Sequence, residues 1–291
     1  MQVIEGIMKK GKKWIMKNQI FLICIALILL LGAGAAQAQE AFVIGVAPHS
    51  SARVILEMYQ PLRLYLEKAL GTPVEVVTAP DFNKFAKRGL EQAYDIAITT
   101  SHQARLFQTD ARYIPLLTYK ADFKAVALVA AKGPIRKPID LKGKKILGLS
   151  PSSQVTLWGQ HWLADHGVSP VSIQYVSASD SVAQLVSSGE AAAGFTSLAN
   201  FQKLAPNMQK QLRILDQSKS MPGRVYVLNS KRSAEKKKIE AALWGFAGTP
   251  AGRQYFEANK LEGYRKLRPR ELNAMDVYAA EVRKVLHDTT E

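Results

Sequence analysis

Two successive series of short apolar strands and amphipathic helices constrain the fold of this chain more than any other sequence feature. Strands are predicted at 41–48, 74–78 and 94–99 in the first series, and at 123–131, 145–149, 172–176 and 192–196 in the second. Helices are predicted between and after them, at 54–70, 82–89, 102–109, 155–167, 180–188 and 198–204. Strands that alternate with helices predict an α/β fold with largely parallel sheets. Because the series occurs twice, we expect two α/β lobes with a ligand cleft between them.

The rest of the chain predicts further strands at 213–215 and 224–228, and helices at 234–247, 250–258 and 269–286. Pro61 is expected to kink the first helix or to split it. Four helix starts have side chains suited to capping the first turn. The expected capping residues are Asp81, Ser101, one of Ser152 and Ser153, and Asp180.

The first 38 residues have the three parts of a secretory signal peptide. Five lysines near the start form a basic region, the run 20–31 is apolar and uncharged, and Ala36-Gln37-Ala38 is an A-x-A cleavage site. We therefore expect export to the periplasm and cleavage after Ala38. The charge-free stretch 18–39 is also long enough for an uncleaved membrane anchor, which stays an alternative.

Removal of that segment changes what the net charge implies. The whole chain has a formal net charge of +15, whereas residues 39–291 have 34 basic and 23 acidic residues, a net charge of +11. An exported basic protein is not expected to meet nucleic acid, and its charge favours a small anionic ligand or a membrane-bound partner. The one cysteine, Cys24, lies in the removed segment, so we expect no disulfide and no cysteine metal site. A composition of 47% hydrophobic residues excludes a disordered chain.

Seven segments of the mature chain share a resemblance to one family. They are FVIGVAP (42–48), PLRLYLEKALGTPVEVVTAPDF (61–82), GLEQAYDIAITT (89–100), LKGKKILGLSPSSQVTLWGQHWLADHGVSP (141–170), ASDSVAQLVSSGEAAAGFTS (178–197), TPAGRQYFE (249–257) and LEGYRKL (261–267). Together they resemble the phosphate/phosphite/phosphonate substrate-binding family of ABC importers.

The resemblance implies a type II periplasmic binding protein, in which two lobes joined by two hinge strands close on the ligand. Lobe I would comprise 39–122 and 223–291, and lobe II would comprise 123–222. The resemblance also implies a protein without enzymatic activity or cofactor, which delivers a small anionic ligand to an ABC permease in the inner membrane. We expect it to act as a monomer.

The chain departs from the family pattern at the expected ligand site. Thr100-Ser101-His102-Gln103-Ala104 replaces a Gly-Pro-aromatic sequence, so the tyrosine that commonly faces the ligand is missing. The family's Ser-Thr-Ser run corresponds to Ser153-Gln154-Val155. A family histidine is Ser179 here, and a family acidic residue is Ala193. The loss of these two groups argues against an aminophosphonate ligand.

Two predicted helix N-termini contain most of the candidate ligand-binding residues. A helix N-terminus presents unpaired N–H groups and a partial positive charge, which favour an oxyanion. The candidates are Thr99, Thr100, Ser101 and His102 at the first N-terminus, and Ser152, Ser153, Gln154 and Thr156 at the second. Further candidates are His49, Ser50, Asp180 and Thr196. Ordinary N-capping selects the same residue types and stays an alternative interpretation.

The remaining motifs favour no other chemistry. His161 and His166 do not share a helical face, so no metal site is predicted. The segment 148–152 resembles a nucleophile elbow around Ser150 but lacks its final glycine, so a secreted serine hydrolase is a weak alternative. Trp158 and Trp162 are four residues apart on one helix and are expected in the core.

The sequence therefore predicts a periplasmic solute-binding component of an ABC importer that holds a small phosphate- or phosphonate-like oxyanion. A periplasmic ligand sensor that partners a membrane receptor would use the same fold, and it stays the second hypothesis.

Overall fold

A computed structural model of the protein describes residues 40–288, so the predicted signal peptide lies outside the described residues. The strands are β1 (Phe42–Val46), β2 (Val74–Val77), β3 (Ile96–Thr99), β4 (Ile114–Tyr119), β5 (Ala125–Ala130), β6 (Ile146–Gly148), β7 (Ile173–Tyr175), β8 (Ala193–Ser197), β9 (Leu212–Gln217), β10 (Val225–Leu228) and β11 (Tyr264–Arg265). The α-helices are α1 (Ala52–Leu70), α2 (Phe82–Leu90), α3 (Ser101–Asp110), α4 (Gln154–Asp165), α5 (Ser179–Ser187), α6 (Leu198–Lys203), α7 (Pro206–Gln211), α8 (Lys236–Gly248), α9 (Pro250–Ala258) and α10 (Asp276–Asp288). Short 3₁₀ helices span Pro138–Leu141, Ser230–Glu235 and Glu271–Met275.

The strands form two mixed sheets, with strand orders β11-β4-β10-β3-β1-β2 and β7-β6-β8-β5-β9. β1 is parallel to β2 and β3, and β6 is parallel to β7 and β8. β10 and β5 are antiparallel to both of their neighbours. The α/β prediction is confirmed, but the prediction of largely parallel sheets was wrong. β5 is reached from β4 and β10 from β9, and in each case the chain passes from one sheet to the other. Neither strand enters its sheet through the helical crossover that makes neighbouring strands parallel.

The core lies on both faces of both sheets. Ile96 and Ile98 of β3 pack into one cluster, whereas Ala97 between them packs into another. In β5, Val126 and Leu128 face one cluster, and the alternate residues of the strand face another. Because successive strand residues point to opposite faces, a strand buried on both sides has an uninterrupted apolar run.

β4 is a strand that the sequence analysis missed, because Pro115 interrupts its apolar run. A proline cannot donate to a sheet ladder and is tolerated at irregular positions. Pro115 pairs with Val227, where the register between β4 and β10 shifts. The irregular pairing therefore accommodates a residue that otherwise argues against a strand.

Two local predictions about helices are tested by the structure. α1 runs through Pro61 as one helix, so of the two effects expected of this proline the split does not occur. Asp180 does not cap α5: Ala178 occupies the N-cap position, and Asp180 is an exposed residue of the first turn. Asp81 does cap α2, since its carboxylate accepts from the Lys84 N–H at 2.7 Å. None of the helices within residues 40–288 is both long and apolar enough to cross a bilayer.

Candidate functional site

A cavity of about 520 Å³ lies where elements of the two sheets face each other. Residues after β1, β3 and β4 line it from the six-stranded sheet, and residues after β6 and β8 line it from the five-stranded sheet. Its polar wall is made by His49, Thr100, Asp122, Lys124, Ser153, Gln154, Ser197, Asn200, Gln202, Lys203, Arg224, Lys260 and Glu262. The volume is in the range of cavities that enclose small organic ligands.

Both helices with predicted anion-binding N-termini begin at this cavity. Thr100 is the N-cap residue of α3 and Ser153 is that of α4, and both line the cavity wall. Neither side chain caps its helix. Ser101, which was expected to cap α3, is instead its first residue. The first-turn N–H groups of α3 and α4 thus lack the side-chain acceptor that capping would supply.

Three polar atoms at these N-termini are buried without a hydrogen-bond partner among the described residues. Thr100 Oγ1 and Gln154 Oε1 belong to cavity-wall residues that are 8% and 2% exposed, and His102 Nδ1 belongs to a fully buried ring that does not line the cavity. Buried polar atoms nearly always have a partner, so exceptions in a cavity wall indicate a place where a ligand can complete the hydrogen bonding.

The two N-termini also contact each other. His102 Nε2 donates to the Ser152 carbonyl oxygen over 2.9 Å, and Gln154 Nε2 donates to Ser101 Oγ over 3.2 Å. Burial lowers the pKa of His102 to about 4, so its ring is neutral at neutral pH. His102 therefore joins the two helix starts and contributes no charge to the cavity.

The other predicted hydroxyls have hydrogen-bond partners within the protein. Ser153 Oγ lies 2.7 Å from Thr156 Oγ1, which in turn accepts from the Leu149 N–H at 3.0 Å. Thr99 Oγ1 donates to Gln103 Oε1 over 2.9 Å, and Ser152 Oγ donates to Asn83 Oδ1 of α2, far away in the sequence. These hydroxyls are therefore accounted for without a ligand, although none of them caps its helix.

Eight of the twelve predicted site residues do not line the cavity: Thr99, Ser101, His102, Ser152 and Thr156, described above, and also Thr196, Ser50 and Asp180. Thr196 is buried, and its hydroxyl has no partner among the described residues. Ser50 is half-buried, and Asp180 is exposed on α5. The structure thus brings His49, Thr100, Ser153 and Gln154 together around one volume, with Ser101 and His102 directly behind them.

Arg224, directly before β10, is a cavity residue that the sequence analysis missed. Its Nη1 lies 2.5 Å from His49 Nε2 and 3.2 Å from the Tyr59 hydroxyl, and its guanidinium stands over the Tyr119 ring at 5.5 Å. No ion pair within residues 40–288 includes Arg224. Arginine stays protonated in proteins, so this positive charge has no carboxylate partner there.

His49 positions this arginine. Its Nδ1 donates to the Ala47 carbonyl oxygen at 2.8 Å, which leaves Nε2 as the acceptor of the Arg224 N–H. Burial, and next the charge of Arg224, hold the pKa of His49 well below its usual value. Both ring nitrogens are therefore engaged, and His49 has no free N–H for an anion.

The alternative chemistries find little support in the geometry. Among the described residues, Ser150 Oγ hydrogen-bonds with Ser152 Oγ at 3.5 Å, and histidine is not among its partners, although a serine nucleophile needs one. Within residues 40–288, no three acidic, histidine or cysteine side chains are grouped so that they could hold a metal ion. Trp158 and Trp162 are buried and stacked at 5.8 Å, which confirms their core role.

Solved structures with the same architecture are numerous. PhnD1 from Prochlorococcus marinus in complex with methylphosphonate has a TM-score of 0.75 at 14% identity, over 84% of this chain and 98% of its own. A Xanthomonas citri protein bound to ATP has a TM-score of 0.71 at 19% identity, over 86% and 99% of the two chains. The aliphatic sulphonate binding protein SsuA from Escherichia coli has 0.56 at 16% identity, over 84% and 92%. These likenesses confirm the type II periplasmic binding protein fold.

Sequence comparison identifies the family. No curated protein sequence matches this chain significantly. The family model described as the periplasmic substrate-binding protein of phosphonate ABC transporters matches residues 44–272, a span that contains both helix N-termini and Arg224. The chain belongs to this family, and it is the periplasmic solute-binding component of an ABC importer.

Proposed function

We propose that this protein binds a small oxyanion of the phosphate or phosphonate class in the 520 Å³ cavity and delivers it to a permease of the inner membrane. The first-turn N–H groups of α3 and α4 hold the anion, together with the Thr100 hydroxyl and the Gln154 amide. Rotation of that amide exchanges its oxygen and NH₂ group, so it can present either one to the ligand. Binding involves no covalent step and no cofactor.

The pairing of two uncapped helix N-termini with buried, unpartnered polar atoms is the observation that supports this proposal. Ser51 and Thr249 cap their helices, whereas Thr100 and Ser153 have hydroxyls that could cap but do not, and both line the cavity. Both donors and partial positive charge are available there to an oxyanion. Simple N-capping does not account for this arrangement.

Ligand delivery requires closure of two lobes. We propose that lobe I comprises 39–122 and 223–291 and that lobe II comprises 123–222, in line with the strands that each sheet contains. Because the cavity wall takes residues from both, an anion bound there contacts both lobes and favours the closed form. The protein acts as a monomer and is exported by a signal peptide that is cleaved after Ala38.

The Thr100→Val substitution tests the proposal, because valine keeps the shape of threonine and removes the unpartnered hydroxyl. The protein without ligand should be as stable as the wild type, since no hydrogen bond is lost. The dissociation constant for methylphosphonate should rise about 10- to 100-fold, as expected for the loss of a hydrogen bond to a charged group. Isothermal titration calorimetry with phosphate, phosphite, methylphosphonate and ethanesulfonate measures these affinities.

Tyr94→Phe is the matched control, because it also removes a buried hydroxyl, in this case one that does not line the cavity. Its affinity for methylphosphonate should equal that of the wild type. A ligand at 100 times its dissociation constant should stabilise the wild type by about 2.7 kcal/mol in thermal unfolding. Absence of binding for every oxyanion would show that the cavity serves another class of ligand.

A further inference from the structure

The cavity contains a second group of cations, apart from the helix N-termini. Arg224, Lys203 and Lys260 all line the same volume as Thr100 and Gln154. They come from three parts of the chain: the start of β10, the end of α6, and the residues after α9. None of the three occurs in an ion pair within residues 40–288.

The side chains that contact the Arg224 guanidinium, His49, Tyr59 and Tyr119, are uncharged. His49 accepts from the guanidinium and is neutral, and burial raises the pKa values of Tyr119, Tyr226 and Tyr255 well above their usual range. A partly buried charge without a counter-ion costs free energy, and an anion in the cavity would offset that cost. The hydrogen bonds to His49 and Tyr59 hold the guanidinium in place, so the site is organised before a ligand arrives.

The two lysines approach the cavity from elements of different sheets. Lys203 ends the helix that follows β8, and its Nζ donates to Asn259 Oδ1 at 3.3 Å. Lys260 lies next to Asn259, and its Nζ donates to the Gln202 carbonyl oxygen at 3.4 Å. Burial, and next the charges of Arg224 and Lys260, lower the pKa of Lys203 to about 8. The cations are thus close enough to repel one another across the cavity.

The acidic residues of the cavity wall do not neutralise this group. Asp122 and Glu262 line the cavity and are both exposed, and neither forms an ion pair in the part of the chain that the structure describes. The same wall contains four basic side chains, those of Lys124, Lys203, Arg224 and Lys260. The cavity wall therefore has more positive than negative side chains before the partial charges of α3 and α4 are considered.

We propose that the ligand is an oxyanion with a carboxylate at its other end, a phosphonocarboxylate, and that Arg224, Lys203 and Lys260 form a subsite for this second group. The inference rests on the proposed function, in which α3 and α4 hold the phosphonate. A guanidinium binds a carboxylate through two parallel hydrogen bonds, and the lysines add charge from both sides of the cleft. A bare tetrahedral oxyanion held by the two helix N-termini would leave most of these cations without an anionic partner, whereas a second anionic group would pair with them.

Isothermal titration calorimetry with three phosphonates of similar size tests the subsite in the protein purified from the periplasm. The ligands are propylphosphonate, 3-phosphonopropionate and 2-aminoethylphosphonate, which end in a methyl, a carboxylate and an ammonium group. We expect 3-phosphonopropionate to bind at least about tenfold more tightly than propylphosphonate, and 2-aminoethylphosphonate to bind more weakly than both.

Substitutions locate the effect. Arg224→Gln should remove the tenfold advantage of 3-phosphonopropionate over propylphosphonate, measured as the ratio of the two affinities in the same variant. Lys203 and Lys260 are more exposed than Arg224, so their replacement by glutamine is better tolerated by the fold. Lys203→Gln and Lys260→Gln should each reduce the same advantage, which covers the case that Arg224→Gln fails to fold. Lys237→Gln removes an equal charge at an exposed lysine outside the cavity and should change neither affinity.

The outcomes separate this inference from the proposed function. If propylphosphonate binds and the carboxylate adds nothing, or if the ammonium is preferred, the anionic subsite is wrong and the proposed function stands. If no phosphonate binds, the subsite inference is wrong, and if phosphate and phosphite do not bind either, the proposed function is wrong with it.

Discussion

At the scale of single residues, the positive charge of Arg224 is the feature most relevant to ligand binding. Arg224 donates to a neutral histidine and to a tyrosine hydroxyl, and no carboxylate of the described chain pairs with it. A protein that only needed stability would pair or replace such a charge. A fixed charge without a counter-ion in a cavity wall is therefore consistent with the proposed anion subsite.

The pH dependence of ligand binding should reveal the ionisation of Lys203, which lines the same cavity as Arg224. Lys203 has a pKa lowered to about 8 and is charged below that value. A bound carboxylate favours the charged form, so affinity for 3-phosphonopropionate should fall as pH rises above 8, by up to about tenfold per pH unit. Arg224 and Lys260 face the same group, and His49 is neutral throughout this range. Calorimetric titrations between pH 7 and about pH 10 measure the profile.

Lys203→Arg is the control for this profile, because arginine keeps its charge over the whole range. The ionisation of the ligand is the same for both proteins, so the ratio of their affinities isolates the lysine. A ratio that does not change with pH would contradict the assignment of Lys203 to the subsite.

At the scale of elements, the site depends on how segments outside the helices support α3 and α4. Met275 ends the 3₁₀ helix Glu271–Met275, and its sulfur lies 3.3 Å from Ser101 Oγ and 3.6 Å from Gln154 Nε2. That short helix is fixed by Glu271, which accepts from Arg265 at 2.9 and 2.8 Å and from the Arg268 N–H at 2.8 Å. The Arg265–Glu271 ion pair thus supports the position of Met275, which contacts the first turns of α3 and α4.

Glu271→Gln should make the protein less stable at neutral pH and less sensitive to acid. Hydrogen bonds from Arg265, the largest cause, lower the pKa of Glu271 from 4.5 to about 2. A lowered folded-state pKa adds stability above pH 4.5 that is lost as pH falls from 4.5 to about 2. At 1.4 kcal/mol per pKa unit this contribution is about 3 kcal/mol. Urea unfolding at pH values from 7 to 3 measures the difference between variant and wild type.

Asp140→Asn is the comparison, since Asp140 also accepts backbone N–H bonds but lies on a solvated turn. Its effect on unfolding should be much smaller than that of Glu271→Gln at every pH. If the Glu271→Gln difference does not shrink between pH 5 and pH 3, the carboxylate does not contribute through its ionisation.

At the scale of the whole molecule, two chain crossings join the sheets and also form part of the cavity. The crossings run between β4 and β5 and between β9 and β10, and Phe123 pairs with Met221 where they meet. Gly223 lies against the backbone here, since a Cβ atom would stand 2.8 Å from the Ala121 carbonyl oxygen. Tyr119, Phe123 and Arg224 adjoin the crossings and line the cavity. A rotation of one sheet relative to the other would therefore move these side chains and change the shape of the cavity.

Export of the molecule gives a prediction at the same scale. If the signal peptide is cleaved after Ala38, mass spectrometry of the protein from the periplasmic fraction should show an N-terminus at Gln39. Ala38→Leu should block processing, because the cleavage site needs small residues. A full-length product in the membrane fraction of wild-type cells would indicate an uncleaved anchor instead.

The sequence by itself determined the fold class, the family and the two helix starts. These follow from local patterns, since a strand rich in β-branched residues or a Ser/Thr-rich helix start is visible in a few consecutive positions. Local patterns also led to errors: Pro115 concealed β4, and Asp180 resembled a cap that Ala178 replaces. A proline or an aspartate indicates a tendency, which neighbouring strands and turns can override.

Only the tertiary structure decided which polar side chains share a cavity, and which of them are charged, buried or already hydrogen-bonded. Arg224 and His49 are separated by 175 positions, yet one hydrogen bond joins them and leaves His49 without a free N–H. Lys203 and Lys260 become neighbours only because the end of α6 and the residues after α9 meet across the cleft. Charge, burial and the lack of a counter-ion are properties of a three-dimensional neighbourhood, and the chain crossings that create this neighbourhood leave no local signal in the sequence.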